Sequence, residues 1–294
     1  MPSAPQSPRL CVALLQLNCG IDPEKNLRNA IQRIGVAARR GAKLICLPEL
    51  FRSRYFCQKE DYANFDLAET IPGPTTKVLG RVARTHKITL VASLFEKRTG
   101  GLYHNTAVVL GPNGKIIGTY RKMHIPDDPG FSEKFYFAPG DTGFKPIDTP
   151  VGKLGVLVCW DQWYPEAARL MALRGAEILI YPTAIGWARG EKKSVCEAQR
   201  NAWQTIQRSH AIANGVFVLS INRTGWEDDL NFWGTSFVSD PFGGVTASAS
   251  VANPDNVITD LDLADVSTTR QHWPFLRDRR IDAYGGLDQR FLTS

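Results

Sequence analysis

The stretch Gly155-Val156-Leu157-Val158-Cys159-Trp160-Asp161-Gln162-Trp163-Tyr164-Pro165-Glu166 holds the residue with the clearest chemical use. An apolar strand ends at a cysteine, the chain turns sharply, and a helix starts with Pro165 in its first turn. A strand-turn-helix of this kind lifts a side chain beyond the carboxyl end of its strand and leaves backbone N–H groups facing outward, where an anion can bind. The thiolate is the reactive form, and positive surroundings or a helix N-terminus lower its pKa from about 8.5. Taken alone, Cys159 reads more readily as the last buried residue of its strand than as a nucleophile. Partners have to decide.

Histidine is the familiar base for a cysteine nucleophile. His86 closes a helix, His210 lies on a long one, His104 begins a strand and His272 is in the tail. Only His124, in Arg121-Lys122-Met123-His124, sits in a motif-like loop, and it is not the preferred base. Glu49 is the better candidate. It follows the apolar run Leu44–Leu47 through Pro48, at the carboxyl end of a strand as Cys159 is, and ligands in α/β sheets bind outside those ends. Apolar surroundings push a carboxyl group toward the working range of a general base. The bland alternative for Glu49 is a helix-capping or solvated glutamate. Lys122, leaving a hairpin strand, could offer a fixed charge to a developing oxyanion, although most lysines are simply solvated. Glu133, in Phe131-Ser132-Glu133-Lys134-Phe135, could anchor and orient that lysine.

The elements that must position these groups alternate strand and helix. Leu10–Leu17 and Lys43–Leu47 read as buried strands. Between them Asp22-Pro23 starts a helix with Leu27, Ala30, Ile31, Ile34 and Ala38 at helical spacing, ended by Gly41. Thr75–His86 is a helix and Ile88–Phe95 a strand, and Thr106–Leu110 with Lys115–Tyr120 flank a hairpin signal, Pro112-Asn113-Gly114. Leu154–Val158, a helix over Pro165–Arg174, a strand over Ile178–Tyr181, a helix over Val195–Asn214 and a strand over Val216–Asn222 follow. Trp233–Ser239 with Gly244–Ala249 reads as a hairpin, and Val257–Leu261 as a last strand. The pattern predicts a layered α/β fold with mixed sheets. No linker divides it, so residues 8–265 form one domain and residues 266–294 an arm packed on the core or across a partner subunit.

The 294 residues and their ordinary apolar and charged content suit a soluble globular protein. No apolar run approaches the roughly 20 residues a membrane span needs, and the Pro/Ser-rich lead has no signal core, so a flexible lead and a cytoplasmic location are expected. The six cysteines form no CxxC pair and read mostly as small buried hydrophobes, not a disulfide framework. The net charge of +6 raises nucleic-acid binding, but the densest basic cluster, Arg277, Arg279 and Arg280, is interleaved with Asp278 and Asp282 and carries no nucleic-acid motif. Without HxH or HExxH, a metal-dependent amidohydrolase lacks ligands, and no metal or cofactor is expected.

Leu47-Pro48-Glu49, Arg121-Lys122-Met123-His124 and Val158-Cys159-Trp160-Asp161 together resemble, in order and spacing, the Glu–Lys–Cys signature of the nitrilase superfamily, over nearly the whole chain from Val12 to about Tyr284. The resemblance implies a four-layer αββα sandwich, paired through helices into an αββααββα homodimer or larger assembly. It implies Glu49 as base, Cys159 as nucleophile, and Lys122 with the backbone N–H of Trp160 as oxyanion partners, Glu133 matching a second glutamate beside the lysine. Cys159–Arg169, Ile125–Lys134, Phe137–Asp141 and Tyr181–Gly186 look more narrowly like N-carbamoylputrescine amidases, which would hydrolyse a terminal ureido group to putrescine, carbon dioxide and ammonia. After Gly186 the chain departs from that subgroup with Trp187-Ala188-Arg189-Gly190-Glu191-Lys192-Lys193. Trp187 should border the substrate, and Glu191 and Glu197 are candidate partners for a distal ammonium. Arg189 or Arg200 facing Cys159 would instead favour a carboxylate-bearing substrate, an N-carbamoyl amino acid or β-ureidopropionate. A catalytically silent binding or scaffold relative is the alternative from another class; intact Glu49, Lys122 and Cys159 argue against it.

Overall fold

The computed structural model describes residues 9–292; the Pro/Ser-rich lead expected to be flexible lies largely outside them. Apolar strands form two six-stranded sheets. The first runs in space Asp255–Leu261, Leu10–Gln16, Leu44–Cys46, Thr89–Thr99, Leu102–Leu110, Ile116–Arg121. The second runs Val245–Ser248, Phe237–Ser239, Phe217–Ile221, Ile178–Pro182, Gly152–Val156, Ile147–Thr149. The centre of each is parallel, with Val12 opposite Leu44 in one and Leu154 opposite Ile178 in the other.

Side chains alternate along a strand, so each strand can serve two interiors. Val12 and Leu14 join Val91, Val109, Val156 and Ile180 in the core that lies between the sheets. Ala13 and Leu15 point the other way, to Leu27, Ala30 and Ile34 of helix Pro23–Arg39 and Leu79 and Ala83 of helix Pro74–His86. Helices Pro165–Leu173 and Lys193–Asn214 cover the second sheet, contributing Ala167, Met171 and Ala211. The result is the four-layer αββα sandwich in one domain. The first helix starts where Asp22 predicts: its carboxylate accepts from the N–H groups of Glu24 and Lys25 at 2.9 and 3.1 Å, with Pro23 next in line.

One expected strand is different. Trp233–Ser239 does not run continuously, because Gly234 and Thr235 both take left-handed φ values, 60° and 52°. The chain breaks there into Leu230–Trp233 and Phe237–Ser239, which belong to different sheets. Leu230–Trp233 sits between Gly186–Ala188 and Thr224–Glu227 in a small three-stranded sheet at the carboxyl ends of the large ones. The start of the expected arm is a helix, Ala264–His272, docked by buried Val266 and Thr269 and by Arg270, which donates to the carbonyls of Asn214 and Ala176. Among the described residues no helix is long and apolar enough to cross a membrane.

Candidate active site

Glu49 and Cys159 each lie just past the carboxyl end of a strand in the parallel part of a sheet, one in each sheet. Both strand ends turn through unusual backbone. Leu50, directly after Glu49, has φ 48°, and Cys159 itself has φ 43°. The Cys159 turn is a short 3₁₀ segment, Cys159–Trp163, that leads into helix Pro165–Leu173. Its geometry is fixed by Asp161. That buried carboxylate accepts from the N–H of Val158 at 2.9 Å and the hydroxyl of Tyr120 at 2.8 Å; its other oxygen accepts from the N–H of His124 at 3.0 Å and lies 2.7 Å from His124 Nδ1. Tyr120 and His124 flank Lys122, so one carboxylate ties the cysteine turn to the lysine segment. An amide cannot serve four donors as well. Asp161→Asn should lower stability by about 1–3 kcal/mol, the cost of a buried donor left unpaired, read as a lower urea midpoint with unchanged m-value.

Lys122 is fully buried. Its Nζ donates to Glu49 Oε1 at 2.9 Å and to Glu133 Oε2 at 2.6 Å. An ammonium has three donors, so one is left over. Burial alone would lower the Lys122 pKa, but Glu133 and Glu49 outweigh it and hold the ammonium charged well above the ordinary lysine range. Glu133 is pushed up to about 7, by burial first and by nearby Glu49, with Lys122 opposing. Its second oxygen accepts from the Tyr55 hydroxyl at 2.8 Å. Asn105 Nδ2 donates to Glu49 Oε1 at 2.6 Å, and Ser93 in turn donates to Asn105 Oδ1. Glu49 Oε2 is buried with no hydrogen-bond partner among the described residues. The lysine backbone is pinned as well: its N–H donates to Asn105 O, and its carbonyl accepts from Gly140. Gly140 can approach that closely only without a side chain, since a Cβ there would lie 2.0 Å from Arg121 O.

Cys159 is 4% exposed, and its Sγ lies 3.7 Å from Ala184 O. Burial raises its thiol pKa well above the ordinary range, Glu49 adds to this, and Lys122 opposes it. Burial and Glu49 thus favour the thiol over the thiolate, and a base is needed to take its proton. A cavity of about 480 Å³ opens onto Cys159. Its walls are mostly aromatic and aliphatic, with Phe131, Trp160, Trp163 and Trp233 among them, and its polar lining consists chiefly of Asp128, Glu191 and Gln199.

Other residues singled out from sequence fall differently. Glu191 lines the cavity, its carboxylate accepting from Gln199 Nε2 at 2.7 Å. Trp187 does not line it: strand alternation turns its ring onto Trp233 at 5.3 Å, and its indole N–H donates to Cys196 O. Glu197 also lies elsewhere, on the exposed face of its helix, paired with Lys193 at 3.8 Å. Arg189 turns outward to Asp229 and the Trp226 ring, and Arg200 rests over Trp187 at 5.8 Å; neither lines the cavity. Asn105, Tyr55, Asp161, Arg223 and Asp128 were not read from sequence. Asp161 and Arg223 follow apolar strands closely, a placement that could have drawn attention, whereas Asn105 lies within the strand Leu102–Leu110 and Tyr55 in a buried loop. Among the described residues no group of three His, Cys, Asp or Glu side chains is arranged to hold a metal.

The pattern of the Carbon-nitrogen hydrolase family matches residues 11–271. A citrullinase from Francisella tularensis is 41% identical over 285 residues, covering 95% of this chain and 98% of that protein. An N-carbamoylputrescine amidase from Solanum lycopersicum is 39% identical over 282 residues, 93% of each. A crystal structure of a carbon-nitrogen hydrolase from Helicobacter pylori superposes with a TM-score of 0.93 at 46% identity, covering 97% of this chain and all of that one. With a matching pattern across most of its length and the sandwich these relatives share, the chain belongs to the carbon-nitrogen hydrolase family of the nitrilase superfamily, enzymes acting on non-peptide C–N bonds.

Proposed function

We propose that the protein hydrolyses the terminal ureido group of N-carbamoylputrescine through a covalent Cys159 intermediate. The observation that carries the chemistry is the buried ion cluster of Glu49, Lys122 and Glu133 beside a cysteine that opens on the cavity. Glu49 Oε2, the oxygen without a partner, takes the proton from Cys159. The sulfur attacks the ureido carbon, and the oxyanion that forms is held by the spare N–H of Lys122 and the backbone N–H of Trp160. As the tetrahedral centre collapses, Glu49 returns the proton to the departing amine nitrogen, releasing putrescine. Glu49 then draws a proton from water, whose oxygen attacks the carbamoyl carbon, and passes it to the departing sulfur, restoring the thiol; the carbamic acid released breaks down to carbon dioxide and ammonia. Glu133 and Tyr55 keep the lysine aimed.

The substrate assignment rests on the lining. An aliphatic chain fits the apolar walls, which include three tryptophans, and a terminal ammonium finds Glu191 and Asp128. Among the described residues no arginine or lysine lines the cavity to receive a carboxylate. A second reading, citrulline as substrate, is favoured by the Francisella relative and differs only at the distal end. Glu191→Gln should raise KM for N-carbamoylputrescine about tenfold, equivalent to about 1.4 kcal/mol, with kcat nearly unchanged. Ammonia release is to be compared across N-carbamoylputrescine, citrulline and β-ureidopropionate. Turnover of citrulline without N-carbamoylputrescine would replace the leading substrate, and preference for β-ureidopropionate would defeat both. A second copy of the chain, in a homodimer or larger assembly, is the proposed partner, with the arm after Ala264–His272 reaching across, where Trp273, Ile281, Leu287 and Phe291 are exposed.

A further inference from the structure

The small sheet beside the cavity carries a buried ion pair that the mechanism does not use. Arg223 is fully buried, and every nitrogen of its guanidinium is engaged. Nε donates to Glu49 O at 3.0 Å, one terminal nitrogen to Leu50 O at 2.5 Å and Ser53 O at 2.7 Å, and the other to Glu227 Oε2 at 2.6 Å. Three backbone carbonyls of the loop that begins at Glu49 thus converge on one side chain. Leu50 holds a left-handed φ that leucine disfavours, and such a conformation persists only where surrounding contacts over-determine it. Glu227 completes the arrangement from the far end of the loop. The same Oε2 accepts from the Tyr55 N–H at 2.6 Å, and the Tyr55 hydroxyl reaches Glu133.

We infer that the Arg223–Glu227 ion pair is a positioning device that sets the placement of both carboxylates flanking Lys122, Glu49 directly and Glu133 through Tyr55. The inference rests on the reading of Glu49 as the base. Burying an ion pair is a weak route to stability, because desolvating both charges offsets most of their attraction. Its value here is geometric. One rigid planar fork fixes a strained turn immediately after the base, a task a flexible lysine ammonium with a single donor atom cannot duplicate.

The experiment is steady-state kinetics on folded Arg223→Met, Arg223→Lys and Glu227→Gln proteins, with Glu49→Gln alongside. Displacing a base by about 1 Å can cost about 100-fold in rate. Arg223→Met should therefore lose about 100-fold in kcat, Arg223→Lys less, and Glu227→Gln about tenfold, each with KM within about threefold of wild type. That split separates positioning from general loosening, which would raise KM and lower the melting temperature in step with activity. Should Arg223→Met fail to fold, the isosteric Glu227→Gln decides. If Glu49→Gln is inactive while Glu227→Gln keeps wild-type kcat, the positioning role is wrong and the base assignment stands. If Glu49→Gln keeps wild-type kcat, the base assignment falls and the inference falls with it.

Discussion

Glu49→Gln should yield a folded protein that has lost turnover by about 10⁴-fold. A single general base contributes about 10²–10⁴, and the upper end applies because this carboxylate is assigned every proton transfer in the cycle: from the thiol, to the leaving nitrogen, from water, and back to the sulfur. Glutamine preserves the shape of the side chain and still offers Oε1 to Asn105 and Lys122. What disappears is the basic oxygen. Folding should survive, since Lys122 keeps Glu133 as a partner. Ammonia release together with a thermal melt is the measurement, and a folded variant working at the wild-type rate would remove the proposed base.

Cys159→Ser should be as severe, on the order of 10⁴-fold or more, for a different reason. Burial and Glu49 already raise the thiol pKa, and a hydroxyl is a far weaker acid, so the same carboxylate cannot generate a usable nucleophile from it. Cys159→Ala should remove turnover while still binding substrate, because the cavity walls are supplied by other side chains. Calorimetry with N-carbamoylputrescine reads the binding, and mass spectrometry of the wild type during turnover reads the carbamoyl adduct. A serine enzyme retaining more than about one hundredth of the wild-type rate would count against covalent catalysis by this residue.

The strands that hold Glu49 and Cys159 were legible because each is a short run of large apolar residues ending in a reactive group. The first helix was legible from Asp22-Pro23. What escaped was set by tertiary contact. Asn105, Tyr55 and Arg223 meet Glu49 or its partners across separations of 56 to 174 residues, and no local pattern marks such a meeting. The small sheet escaped for a local reason as well. Its hairpin turns on Asp228-Asp229, without the glycine that signals a tight turn, and Asp228 itself takes φ 53°. Trp187 and Glu197 were misplaced relative to the cavity by the phase of a strand and of a helix, since a shift of one residue reverses which way a strand side chain points.

The bias of the buried sulfur toward its neutral form has a consequence outside the catalytic cycle. Peroxide attacks thiolates, not thiols, and it needs access. The cavity that admits substrate also admits peroxide, so what protects this sulfur is charge: burial and a neighbouring carboxylate disfavour its thiolate. The desolvation that obliges the enzyme to use a base for every turnover also slows oxidation of its nucleophile between turnovers.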